Sequence, residues 1–233
     1  MTRIKLAVIG DGKMGRAVAA LAPEAGFDVV AVIGAADVAA GGITVALLNG
    51  ATLAIEFTEP GAAAANVRQC LAAGCAVVCG TTGWDAERLR IEAEVRGGAG
   101  ALLWAPNFSL GVHLFTRIAE YATRLVAQAG AGFDIHLSET HHKAKLDAPS
   151  GTARLLADRA TPAWGSDVPV TSIRTGNVPG THAFIFDAPF EQITLEHVAR
   201  DRRVFAAGAL HAARWLAGRR GVFTLDHLFP TPE

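Results

Sequence analysis

The stretch Glu139–Ala153, E-T-H-H-K-A-K-L-D-A-P-S-G-T-A, puts two adjacent histidines, two lysines, two acids and a Pro-Ser-Gly-Thr turn into fifteen positions. Histidine exchanges a proton near neutral pH, with an ordinary pKa of about 6.5. Lys143 and Lys145 add positive charge beside His141 and His142, as an anionic substrate requires. Ser150, Gly151 and Thr152 follow Pro149 and open a helix, whose hydroxyls and N–H groups suit a carboxylate. Asp147 is placed to orient a lysine or brace the loop. A proton donor, a cation and a helix N-terminus so close in the chain make a site for a small dicarboxylate. A metal is not expected: adjacent histidines on extended backbone face opposite ways, no H-E-x-x-H or nearby thiol is present, and two lysines repel a cation. A solvated polar loop is the plain alternative.

A second chemistry sits near the start. Gly10-Asp11-Gly12-Lys13-Met14-Gly15 is a G-x-G-x-x-G that ends a short apolar run and opens a helix. Gly10 permits the tight turn, Gly12 lets a pyrophosphate approach the backbone, and Gly15 lets helix and strand lie close. Such a loop suits NADH or NADPH, and with the histidine cluster it implies hydride transfer plus protonation. The acid that usually ends the second strand is replaced by Gly34, and the next charge is Asp37. Lys13 and Arg16 are cations able to tolerate a 2′-phosphate, so NADH and NADPH both remain open.

These residues need elements to hold them. Lys5–Ile9, Asp28–Ile33, Leu53–Phe57, Ala76–Cys79 and Ala101–Trp104 read as strands, with helices over Gly15–Ala22, Ala62–Ala73 and Asp85–Val95. Strands alternating with helices predict a parallel, Rossmann-type α/β sheet. After Pro106 the rhythm changes. A long amphipathic helix over Leu110–Gln128 leads into the period-two run Phe133–Thr140, then a helix over Thr152–Ala160. Three strand-like runs follow, Val170–Arg174, Thr181–Phe186 and Gln192–His197, and together they predict a second, α+β region. A helix over Val204–Leu216 and a short apolar segment, Val222–Leu228, close the chain. Hinges are expected near Asn107 and Arg202, which gives a dinucleotide domain of residues 1–107 plus 203–233 and a substrate domain of 108–202.

Composition narrows the class further. The 233 residues are 51% hydrophobic and 18% charged, with a formal net charge of −1, so no electrostatic footprint for nucleic acid or an anionic membrane exists. The first apolar run ends too soon for a signal segment, and Ile43–Ile55 is interrupted by Asn49-Gly50. A soluble, cytoplasmic protein is expected. Cys70, Cys75 and Cys79 fit no disulfide or metal pattern and read as reduced, buried thiols.

The cluster also resembles a family signature, E-x-H-H-x-x-K-x-D-A-P-S-G-T-A, of 4-hydroxy-tetrahydrodipicolinate (dihydrodipicolinate) reductases. Phe57-Thr58-Glu59-Pro60 is similar to the family's F-T-x-P turn, Gly80-Thr81-Thr82-Gly83 to its G-T-T-G loop, and Ala105-Pro106-Asn107-Phe108-Ser109 to its A-x-N-F-S hinge. Arg174-Thr175-Gly176, Gly180-Thr181-His182 and His197-Val198-Ala199 through Arg202 to Phe205-Ala206 continue the match in order. The resemblance implies a homotetramer built through the second domain's sheet, and the reduction of 4-hydroxy-tetrahydrodipicolinate in lysine and diaminopimelate synthesis. It implies His141 as proton donor and Lys145 as its partner, with His142, Ser150, Gly151 and Thr152 on the substrate carboxylates. It assigns Gly10, Gly12, Lys13, Met14, Gly15 and Phe57 to the dinucleotide, with Gly80, Thr81, Thr82, Ala105, Pro106, Asn107 and Phe108 toward its nicotinamide end. The Gly loop is one residue shorter than the family's common G-x-x-G-x-M-G, and the region between the second and third strands is short. Two other readings are a dinucleotide-sensing protein, which would need only the Gly loop, and an amino-acid dehydrogenase, which does not predict D-A-P-S-G-T-A.

Overall fold

The computed structural model describes residues 3–98 and 100–230; the ends of the expected first domain, 1–2 and 231–233, lie outside them. The chain divides into two compact units, Met1–Ser109 with Arg203–Glu233, and Leu110–Arg202. The border follows Ser109 rather than Asn107 because Phe108 is buried in the first unit, its ring edge-on to Phe57 at 6.0 Å.

The first unit begins β1 (Ile4–Ile9), α1 (Lys13–Leu21), β2 (Phe27–Ile33), α2 (Ala35–Gly41), β3 (Leu53–Glu56), α3 (Pro60–Ala72), β4 (Ala76–Cys79), α4 (Asp85–Arg96) and β5 (Ala101–Trp104). The second unit holds α5 (Leu110–Ala129), β6 (Asp134–His141), α6 (Gly151–Trp164), β7 (Val170–Arg174), β8 (Thr181–Ala188) and β9 (Glu191–Val198). The chain then returns to the first unit as α7 (Arg203–Leu216) and β10 (Gly221–Phe223), ahead of a short 3-10 turn at Leu225–Leu228.

All pairings in the first sheet are parallel, in the order β10-β5-β4-β3-β1-β2. Strands covered on both faces read as continuous apolar runs, and Leu6–Ile9, Leu53–Ile55 and Val77–Cys79 are buried throughout. α7 packs on β3, β4 and β5 through Ala206, Gly208, Ala209, Ala212 and Ala213, small residues that let a helix lie close to the sheet. The first helix does the same through Gly15.

The second sheet has the order β7-β6-β8-β9, with β6–β7 parallel and the other two pairs antiparallel. Its strands alternate, as a half-buried sheet requires. Ile135, Leu137, Glu139 and His141 are buried along β6, beside Phe184 and Phe186 of β8. That face is covered by α5 and α6, through Phe115, Ala119, Leu156 and Ala160 among others. α6 runs on through Pro162 to Trp164, past the end expected at Ala160.

Two elements had no signal in the periodicity. Helix α2 has no buried residue and so shows no apolar stripe; Asp37 starts it by accepting from the Gly34 N–H at 2.8 Å. Strand β10 is three residues long and exists through its parallel pairing with β5.

The turn between β1 and α1 is built on close backbone approach. A Cβ on Gly10, at φ +106°, would lie 2.1 Å from the Phe57 carbonyl oxygen, and one on Gly15 would lie 1.8 Å from the Gly10 carbonyl oxygen. Both collisions are with backbone, which no rotamer change relieves. Gly12 has nothing within 4 Å in that direction. Gly15→Ala is therefore expected to cost about 2 kcal/mol or more in denaturant unfolding, and Gly12→Ala about 1 kcal/mol or less. Equal losses would mean that close packing is not what the third glycine supplies.

Candidate active site

Every dinucleotide-associated residue expected from the sequence lies at the C-terminal ends of the parallel strands, on the loops or in the first turn of α1. Gly10, Gly12, Lys13, Met14 and Gly15 follow β1, Phe57 follows β3, Gly80, Thr81 and Thr82 follow β4, and Ala105, Pro106, Asn107 and Phe108 follow β5. These loops are cross-tied. The Thr58 N–H donates to Thr81 Oγ1 at 2.8 Å, and the indoles of Trp84 and Trp104 both donate to the Thr81 carbonyl, at 2.7 and 3.0 Å. A Cβ on Gly80 would sit 2.0 Å from the Phe57 ring, so the Gly80 backbone lies directly on that ring. Beneath them Glu56 is fully buried and accepts from the Thr58 hydroxyl and, at 3.0 Å, from the Cys79 thiol. Burial and the neighbouring Glu56 push the Cys79 thiol well up, so it stays a neutral donor.

A cleft of about 510 Å³ opens beside the Gly loop, within the size range of small-molecule sites. Its lining runs from Gly10, Asp11 and Gly12 across Gly34 to Phe57, Thr58 and Asn66. Asn66 is buried and donates to Thr58 Oγ1, but its Oδ1 has no hydrogen-bond partner. An open Gly12 backbone at a helix N-terminus and an unpaired acceptor in the wall fit the phosphates and adenosine of a dinucleotide.

The second unit holds the histidine–carboxylate cluster. His141 ends β6 and is 7% exposed, while Glu139, two residues earlier on the same face, is fully buried. His141 Nδ1 meets Glu139 Oε2 at 2.5 Å. The other carboxylate oxygen accepts from Arg174 Nη2 at 2.8 Å and from the Ser150 N–H at 3.2 Å. Strand register explains the gathering. Glu139 sits opposite His182 on β8 and Ser172 on β7, and His141 sits opposite Arg174. His182 sets its ring edge-on to His141 at 5.2 Å, and its Nε2 is 3.4 Å from the Ser150 hydroxyl.

Around this centre the loop into α6 is braced by Arg174, which donates to the main-chain oxygens of Lys145 and Asp147. Lys145 Nζ pairs with Asp147 at 2.8 Å, so the aspartate does orient a lysine. Ser150 caps α6 by accepting from the Ala153 N–H, which sets Gly151 and Thr152 in the first turn. His142 is half-buried, anchored through its N–H to the Val178 carbonyl.

The charges follow from these contacts. Burial opposes the ionised form of Glu139, but hydrogen bonds from Ser172, Arg174 and Ser150 outweigh it and bring the carboxyl down to about 2. Burial lowers His141 below its ordinary value; Glu139 raises it in part, and Lys145 and Arg174 lower it again. His182, more deeply enclosed and beside His141, falls to about 4 and stays neutral at physiological pH. A fixed carboxylate on Nδ1 leaves Nε2 as the atom through which His141 exchanges a proton. Donor atoms of Glu139, His141 and His182 lie within 4.8 Å of one another, a spacing that a metal can also use. Arg174 already supplies the compensating positive charge on that carboxylate.

Sequence reasoning singled out His141, His142, Lys145, Ser150, Gly151 and Thr152 but gave no role to Glu139, Arg174 or His182. The period-two alternation of β6 already put Glu139 on the His141 face; the two partners come from other strands and needed the register.

Comparison with known proteins finds matches along most of the chain. Residues 4–108 match the family model described as dihydrodipicolinate reductase, N-terminus, and residues 111–229 the one described as dihydrodipicolinate reductase, C-terminus. The 4-hydroxy-tetrahydrodipicolinate reductase of Thiobacillus denitrificans is 35% identical over 256 aligned residues, covering 93% of this chain and 94% of that relative. The reductase of the same name from Methanoculleus marisnigri is 37% identical over 181 residues, covering 71% and 70%. The fold is similar to that of a dipicolinate-bound dihydrodipicolinate reductase from Paenisporosarcina sp. TG-14, with a TM-score of 0.78 at 21% identity over 95% of this chain and 97% of that one. With both halves matched in order and a curated relative 35% identical over 94% of its length, the chain belongs to the dihydrodipicolinate reductase family.

Proposed function

We propose that this protein reduces 4-hydroxy-tetrahydrodipicolinate to tetrahydrodipicolinate, using NADH or NADPH, in lysine and diaminopimelate synthesis. One hydride and one proton enter, and one water leaves. When bound, the nicotinamide supplies the hydride, to C4 of the substrate. The observation that carries the reading is the buried Glu139–His141 pair, with Lys145 and the α6 N-terminus beside it in the chain. Glu139 fixes the ring of His141 and favours its protonated form, so that Nε2–H can deliver the proton. Lys145, His142, Ser150, Gly151 and Thr152 bind and orient the two carboxylates. Those anions add negative charge near His141 and raise its proton affinity when the acid is needed. Gly10, Gly12, Lys13, Met14, Gly15 and Phe57 hold the dinucleotide, and Gly80, Thr81, Thr82 and Ala105 through Phe108 border its nicotinamide end. The unit of Met1–Ser109 with Arg203–Glu233 thus acts as the cofactor domain and Leu110–Arg202 as the substrate domain.

We also infer a homotetramer, assembled through the open face of the second sheet. That face carries His136, Ser138, Thr140, Ile173, Ile185, Thr194 and Val198 away from the helices, with Ile173 and Val198 more than two-fifths exposed. The three free thiols support a reducing, cytoplasmic setting. Among the described residues no helix is long and apolar enough to cross a membrane.

The reading is tested by making the substrate in situ from pyruvate and aspartate semialdehyde with the preceding synthase. Cofactor oxidation is expected, and its absence with both NADH and NADPH overturns the assignment. His141→Gln is expected to lower kcat about 100-fold or more while leaving cofactor affinity within about twofold. Equal losses in both would make the histidine structural.

The pH profile separates acid from scaffold. The proton donor works as imidazolium, so kcat falls as pH rises through the His141 pKa in the substrate complex. The Glu139 charge raises that pKa, so Glu139→Gln should move the alkaline limb to lower pH. A limb that stays in place assigns the titration to another group. Light scattering is expected to give four times the 24.2 kDa chain mass, and Ile173→Asp to reduce it; a wild-type monomer refutes the tetramer.

A further inference from the structure

In a dinucleotide fold the acid at the end of the second strand accepts from the ribose hydroxyls of NAD. Here that position is Gly34, and Asp37 is committed to the Gly34 N–H at 2.8 Å. A different acid occupies the place. A Cβ on Gly34 would lie 2.8 Å from Oδ2 of Asp11 and 3.3 Å from its Oδ1. With glycine at that position, the Asp11 carboxylate occupies the space that a side chain at the end of β2 would take.

The surroundings set the sign of what this position accepts. The cleft lining includes Asp11 and Glu59 and no lysine, arginine or histidine among the described residues. Arg16, one turn into α1, directs its Nε to the Asp11 main-chain oxygen at 2.7 Å. Lys13, at the start of α1, is not part of the lining. Deeper in the wall, the unpaired Oδ1 of buried Asn66 is a further acceptor. The cleft thus offers hydrogen-bond acceptors and negative charge, which suits hydroxyl and amino donors.

We infer that Asp11, from within the Gly loop, is the ribose-binding acid of this chain, and that it makes the cleft select NADH over NADPH. The inference rests on the reading that the first unit binds a nicotinamide dinucleotide. With NADH, both ribose hydroxyls are donors to Asp11. With NADPH, the 2′ donor is replaced by a phosphate carrying about −1.5 to −2 charge at neutral pH, beside Asp11 in a cleft whose described lining holds no lysine, arginine or histidine.

Calorimetric titration of the full chain with NADH and with NADPH, without substrate, tests this directly. Wild-type protein is expected to bind NADH more tightly by about tenfold or more, the scale of one charge-assisted hydrogen bond. Asp11→Asn and Asp11→Ser should bring the two affinities within about threefold, chiefly by weakening NADH and relieving NADPH. Asp11 is exposed, so both variants are expected to keep the wild-type circular dichroism spectrum. Wild-type affinity for NADPH equal to or above that for NADH overturns the inference, as does a preference unchanged by both Asp11 variants or abolished only by Glu59→Gln. In each of those cases dinucleotide binding itself stands. Failure of the wild-type protein to bind either cofactor overturns the dinucleotide reading, and the inference with it.

Discussion

A buried carboxylate, Glu139, organises the second unit. It lies at the crossing of three strands and a helix start: its own β6, Arg174 from β7, His182 facing it from β8, and the Ser150 N–H that begins α6. Removing one partner of such a pair typically costs about 3–5 kcal/mol, because the other charge is left buried and uncompensated. The same group that meets His141 therefore also ties β7 and the helix start to β6. The proposed proton chemistry and the architecture share one set of contacts, and Arg174 extends the set outward to the Lys145–Asp147 loop.

The first unit reaches rigidity by different means. Its loops are positioned by contact rather than charge: Gly10 against the Phe57 carbonyl, Gly80 against the Phe57 ring, Phe108 edge-on to that ring, and two indoles on the Thr81 carbonyl. Phe57 is the hub, and the glycines around it are small because backbone must come within van der Waals distance of it. The buried Glu56 lies beneath this layer. Its carboxyl oxygens accept from the Thr58 hydroxyl and the Cys79 thiol, so one of the three thiols that looked merely structural has a hydrogen-bonding task.

Much of this was legible in the residues. Apolar runs gave the parallel strands because burial on both faces leaves no room for polar alternation, and the period-two run gave β6 because one face stays wet. The helix start at Ser150 was legible because capping is a local effect. What stayed hidden depends on pairing between distant segments. No local pattern places Arg174 or His182 beside Glu139, joins the three residues of β10 to β5, or sets Asp11 over Gly34. Asp37, the candidate acid by sequence order, proved to be the return partner of a helix start that shows no apolar stripe.

The insertion of one unit within the other has a consequence for synthesis. Residues Leu110–Arg202 are contiguous, so every strand of the second sheet is available once β9 has left the ribosome. The first unit cannot close then, for α7 still has to cover β3, β4 and β5, and β10 has yet to pair along β5. The last-made segment thus completes the first-made sheet. Until it emerges, the nascent chain carries a parallel sheet with a bare apolar face and an open edge, the kind of surface that chaperones shield.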